Sequence, residues 1–98
     1  MNCNQVVICG RIMEVEGLRY TPAGVAVVEL KIGHASHQLE AGMRRRVECE
    51  MPAVALADLA ETVSRMLPGT QVRSGGFLCG RSRVNRQLVL HLNSIDII

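Results

Sequence analysis

Arginine is the residue type through which this chain can recognise another molecule. Three stand together at Arg44, Arg45 and Arg46, and three more, Arg81, Arg83 and Arg86, surround a short turn. A guanidinium is a planar fork that pairs with phosphate through two parallel hydrogen bonds and stacks on flat groups. From Arg44 onward there are eight arginines, five acids and no lysine, whereas three basic residues (Arg11, Arg19, Lys31) precede it against four acids. The net charge is only +2, so placement rather than total charge points to a polyanionic partner. A plainer role for the triplet is to keep a strand end soluble, since edge strands commonly carry charge against aggregation.

Other chemistry is poorly represented. No nucleophile stands beside a base, no pair of carboxylates lies in glycine-framed loops, and no phosphate-cradling motif occurs, so the expectation is a protein that is not an enzyme and needs no cofactor. Cys3, Cys9, Cys49 and Cys79 are far apart, form no C-x-x-C pair and have no histidine beside them, which argues against a metal site. Each sits in an apolar run and is expected to be a small buried hydrophobe of a reducing compartment. Aromatic residues number two, Tyr20 and Phe77, so the core must be built from Val, Ile, Leu, Met and Ala. No signal peptide and no apolar run of about 20 residues is visible, which implies a soluble, cytoplasmic protein with no membrane partner.

Positioning falls to strands. In Asn4–Glu14, Val6, Ile8, Gly10 and Ile12 alternate onto one face. Thr21-Pro22-Ala23-Gly24 places Pro second and Gly fourth, as a type I turn prefers, and separates this strand from a second, "VAVVELKI", in which Ala26, Val28, Leu30 and Ile32 share a face. Residues 33–42 read as a polar connection. A third strand follows the arginines, with Val47, Cys49 and Met51 on one side and an ending, a kink or an edge position imposed by Pro52. Apolar spacing over 55–67 predicts the only helix, stopped by Pro68-Gly69. A fourth strand starts at Gln71, with Gly75-Gly76 permitting sharp coiling, and Leu88–Ile98 is the fifth. The pattern β-β-β-α-β-β predicts an all-β OB-fold over residues 1–98, a five-stranded Greek-key barrel with one short helix between strands three and four; another α+β roll is the alternative.

The stretch from Gly10 to Ile32, "GRIMEVEGLRYTPAGVAVVELKI", resembles the first hairpin of bacterial single-stranded-DNA-binding proteins, and "LADLAETVSRMLPGTQV" resembles that family's helix and the entry to its next strand. Those proteins continue into a long Gly/Gln/Pro-rich tail, whereas this sequence stops at "SIDII". With "EAG" at 40–42, the "C-x-M-P" of Cys49–Pro52 and "VLH" at 89–91, it is similar to the tail-less primosomal replication protein N family. The resemblance implies a homodimer that binds single-stranded DNA and works with the primosomal helicase PriA and other primosome proteins (DnaT where present) in restarting replication at abandoned forks.

A single-strand binder combines a positive groove with aromatic platforms. The expected DNA-binding residues are Arg19, Tyr20, Lys31, His34, Arg44, Arg45, Arg46, Arg81, Arg83 and Arg86. Relatives place an aromatic on the exposed face of strand three, where this sequence has Glu48, so binding is expected to be carried by charge. Tyr20 is the remaining stacking candidate; Phe77 is expected to pack against the barrel or a partner copy, and His91 to be an exterior structural residue. Val7, Cys9 and Met13 form an apolar strip on the outer side of the first strand, the expected dimer interface. A protein-interaction adaptor whose arginines dock a helicase, with DNA incidental, and an RNA-binding barrel are the competing readings.

Overall fold

The computed structural model describes residues 3–98. It contains β1 (Val6–Val15), the two-residue β2 (Arg19–Tyr20), β3 (Ala26–Glu40), β4 (Met43–Leu56), α1 (Asp58–Ser64), β5 (Gln71–Gly80) and β6 (Leu88–Ile97). The sheet order is β1-β5-β6-β4-β3-β2, and an additional β1–β3 pairing closes the five long strands into a barrel. Only the β4–β6 contact, Ala53↔Leu90 and Val54↔His91, is parallel. A closed five-stranded barrel with this order and a helix after its third long strand is an OB-fold, as the element pattern predicts.

The inward positions are the alternating ones. Ile12, Val28, Ile32, Val72 and Leu90 are fully buried, with Ala60 and Val63 of α1 closing the barrel end beneath them. Each large aliphatic side chain buried in this way contributes roughly 1.5–3 kcal/mol, which suffices for a core without aromatics. Two bulges bend the sheet into a ring. One leaves Met13 unpaired between Ile12↔Ile32 and Glu14↔Lys31; the other lies at Gly75-Gly76, where β6 carries the extra residue. Gly10 is required for closure, because a Cβ there would collide with the Gly33 carbonyl oxygen where β1 crosses β3.

Four expectations are corrected. Residues 33–40 are not a loop: they continue β3, paired in unbroken register with β4 from Val27↔Leu56 to Glu40↔Met43. Ala41 (φ 52°) and Gly42 (φ 77°) form the two-residue turn between them, both in the left-handed region that a type I′ hairpin demands. The ribbon beyond Gly33 projects about 24 Å from the barrel at roughly 3.4 Å per residue, and the molecule measures 50 Å along its long axis. Both faces of this arm meet water, which erases the apolar alternation that marks a half-buried strand. The helix is shorter than its spacing predicts, because Ala55 and Leu56 pair with Val28 and Val27 and so belong to β4.

Pro52 neither ends nor breaks β4, which runs on to Leu56. It lies one residue before β6 joins the second side of β4, a position where a missing N–H is tolerated. Finally, all four cysteines are free thiols and exposed, since their runs place them on outward or arm positions rather than in the core.

Candidate nucleic-acid interface

The outer face of the β3–β4 ribbon gathers most of the expected residues. Side chains alternate along each strand, and cross-strand partners share a face. Glu29, Lys31, Ala35, His37 and Leu39 of β3 therefore lie on the same side as Val54, Pro52, Glu48, Arg46 and Arg44 of β4. Arg45 projects from the opposite side with Gln38, so the arginine triplet is divided two to one. Along the outer face the cations run from the barrel wall to the tip of the arm: Arg19 and Arg81, then Lys31, Arg46 and Arg44.

Most of these cations have a carboxylate neighbour. Arg46 donates to Glu48 at 2.7 and 3.0 Å, Lys31 lies 3.8 Å from Glu50, and Arg45 pairs with Glu40 on the other face. These pairs are exposed and each is worth at most about 1 kcal/mol, so a phosphate can compete for the cation. Arg44, Arg83 and Arg86 have no carboxylate partner among the described residues. Arg83 and Arg86 ride on an ordered turn: Ser82 N–H donates to Asn85 O at 2.8 Å, and Asn85 N–H to Ser82 Oγ at 2.9 Å. Val84 at the tip of this turn is 96% exposed.

At the barrel wall, Glu29 accepts from Arg81 Nη1 at 2.7 Å through Oε1 and from Arg19 Nη1 at 2.9 Å through Oε2. The Arg81 hydrogen bond, and then that of Arg19, hold the Glu29 carboxyl below its ordinary value of 4.5, against a smaller opposing effect of burial. A carboxylate whose folded pKa is depressed contributes stability above its unfolded pKa and loses it as pH falls through the folded one. Glu29→Gln is therefore expected to flatten the fall in melting temperature between about pH 5 and about pH 3, read by thermal melts of both proteins across that range.

The remaining candidates divide. Arg19 and Tyr20 form β2, paired with Val27 and Ala26, rather than lying in a free loop. The Thr21–Gly24 turn behind them is built as expected, with Gly24 N–H donating to Thr21 O at 2.8 Å. As neighbours in a strand, Arg19 and Tyr20 point to opposite sides; Tyr20 is 62% exposed. His34 lies inside β3, and both ring nitrogens are engaged. Nδ1 lies 2.6 Å from the Cys9 carbonyl, which only accepts, so Nδ1–H donates; Nε2 meets the Ser36 hydroxyl at 2.8 Å. The imidazole thus bridges β1 and β3 just where their ladder ends at Arg11↔Gly33.

On the outer side of β1, Val7 and Cys9 are exposed. Met13 is the bulged residue and half-buried, its sulfur packed against Gly33, and Arg11 interrupts the apolar strip.

Sequence reasoning missed one aromatic pair. Phe77 and His91, opposite one another on β5 and β6, stack with ring centroids 5.1 Å apart and planes inclined by 13°. His91 also lines an open cleft of about 230 Å³ with Arg19, Glu29, Val54, Arg81 and Val89. The only sequence signal for it was the outward phase of both residues in their strands. Among the described residues no group of three or more His, Cys, Asp or Glu side chains is placed to hold a metal ion.

The family described as "Another single-strand binding protein family" matches residues 4–94. The replication restart protein PriB of Nitrosomonas europaea is 44% identical over 98 residues, covering all of this chain and 91% of that protein. The chain belongs to the PriB family. The PriB of Bordetella pertussis is 38% identical over 89 residues, 91% of this chain and 83% of its own. The crystal structure of PriB from Ralstonia solanacearum superposes with a TM-score of 0.86 at 31% identity, covering 96% of each chain. The single-stranded DNA binding protein of Thermus aquaticus shares the barrel more distantly, with a TM-score of 0.79 at 22% identity over 97% of this chain and 50% of that one. The PriB family and the single-strand binders thus share one barrel, on which this chain carries its own set of charges.

Proposed function

We propose that this protein binds single-stranded DNA as an accessory factor of replication restart and stimulates the primosomal helicase PriA at abandoned forks, with DnaT as a further partner where present. The observation that carries the reading is the outer face of β3–β4, along which Arg19, Arg81, Lys31, Arg46 and Arg44 extend from barrel to arm. Arg83 and Arg86 on the β5–β6 turn would extend this surface. The relatives' names, replication restart and single-strand binding proteins, support the same reading. A chain of 98 residues with one barrel fits a single-domain factor acting in the cytoplasm.

Homodimer formation belongs to the proposal. Val6–Gly10 of β1 pairs with β5 on one side only, because β3 joins β1 no earlier than Arg11. That unpaired edge, with exposed Val7 and Cys9 beside it and Met13 beyond, offers a second copy a strand to pair with. A dimer would place two arginine faces on one strand of DNA and multiply their effect.

The adaptor reading is favoured by Glu48 and Glu50, two carboxylates on the face that would receive phosphates. Binding of a labelled thymidine 30-mer, compared with a duplex of equal length, tests the proposal. A single-strand preference of about tenfold or more is expected for a surface that takes a flexible backbone along a groove; equal binding, or none to either, refutes it.

A further inference from the structure

Resting on the single-strand reading, we infer that Glu29 is an internal competitor for the DNA backbone: it occupies the place of a phosphate between Arg19 and Arg81 and so limits how tightly this part of the barrel holds a strand. The two arginines come from β2 and from the end of β5, and Glu29 offers each of them one carboxylate oxygen, at 2.9 and 2.7 Å. Two guanidiniums converging on two oxygens of one anionic group is the arrangement by which arginines hold a phosphate. Without an anion between them the pair would repel itself apart, so Glu29 aligns the cations while cancelling one of their two charges.

The carboxylate is the inner member of the cluster, its side chain 23% exposed against 56% for Arg19 and 37% for Arg81. Each arginine spends one nitrogen on Glu29, and neither makes another side-chain hydrogen bond among the described residues. A guanidinium has five N–H donors, so outward donors remain for a phosphodiester in the adjoining cleft. The Phe77–His91 stack reaches that cleft through His91, next to Val54 and Val89, and gives a base an aromatic and aliphatic wall beside the phosphate position. Loose binding at this point suits a protein that gives its strand up to a helicase rather than storing it.

The test is a polarisation titration of a labelled thymidine 30-mer over a salt series, with the parent, Glu29→Gln and, as a remote charge control on α1, Glu61→Gln. Glutamine keeps the shape of Glu29 and can still accept from one arginine, freeing the other for one more phosphate. The expected result is an affinity gain of about fivefold at low salt and a log–log salt slope steeper by about 0.7, the increment for one added single-strand phosphate. Glu61→Gln should leave the slope unchanged, and adding Arg19→Ala and Arg81→Ala to Glu29→Gln should abolish the gain. Glu29→Ser makes the same charge change and serves if the glutamine variant does not fold. Parent-like or weaker binding by the Glu29 variants, or an equal gain from Glu61→Gln, overturns the inference while leaving single-strand binding intact. A parent that shows no salt-dependent binding overturns both.

Discussion

Replacing Arg44, Arg45 and Arg46 together by alanine is expected to weaken single-strand binding by on the order of tenfold or more near 0.1 M salt and to reduce the log–log salt slope by about 2. The slope follows from releasing roughly 0.7 counterion per neutralised phosphate, for three lost contacts. The substitution does more than delete cations. It takes the formal net charge from +2 to −1, and it leaves Glu40 and Glu48 without the arginines that now neutralise them, so two carboxylates face the strand unscreened. The barrel should be unaffected, because the arm lies outside the core and its ion pairs are exposed. An unchanged melting temperature together with lost binding, read by thermal melts and polarisation on the same samples, is the expected pair of results. Because Arg45 projects from the opposite face, Arg45→Ala alone should cost less than Arg44→Ala or Arg46→Ala if the strand follows the outer face.

Gly76→Ala is expected to have the largest effect on stability. Gly76 is buried at the β5–β6 bulge, and a Cβ there would come far closer than 3.0 Å to the carbonyl oxygen of His91, with the Leu92 backbone just behind. The obstacle is main chain held in the ladder, so no side chain can turn aside to make room. Overpacking of this kind costs about 3 kcal/mol or more, out of a total stability of roughly 5–15 kcal/mol for a domain. For a chain of this length that is a fall in Tm on the order of 15 °C. Gly17→Ala is the matched control: no atom lies within 4 Å of the added methyl, and the change should stay within about 0.5 kcal/mol. Similar melting of the two variants would mean that the bulge does not bring β5 and β6 as close as described.

The barrel itself could be read from the residues because its inward positions are consistently apolar. Val6, Ile8 and Ile12, then Ala26 to Ile32, then Val72 and Ser74 fall into phase with the ring. The bend at Gly75-Gly76 and the stop at Pro68-Gly69 were legible from backbone chemistry alone. The arm was not. His34 to Glu40 carry polar side chains on both faces, and their strand is held by pairing with Met43–Cys49, a non-local partner that periodicity within one segment does not reveal. The same limit hid the interface's internal order. Arg81 and Glu29 are 52 positions apart, and the arginines were read as cations awaiting phosphate when two of them already share a carboxylate. His34 was read as a free donor because nothing local shows that β1 passes beside it with an unpaired Cys9 carbonyl. Arginine identity marked the interface, and folding decided how much of its charge remains available.

The central claim, that a half-neutralised arginine face binds single-stranded DNA by charge, is tested most directly by the affinity of the unmodified protein for a labelled thymidine 30-mer measured across a salt series. Engagement of at least three phosphates predicts that log affinity falls linearly with log salt with a slope of about −2 or steeper. A slope near zero, or binding that persists unchanged in high salt, would contradict the account.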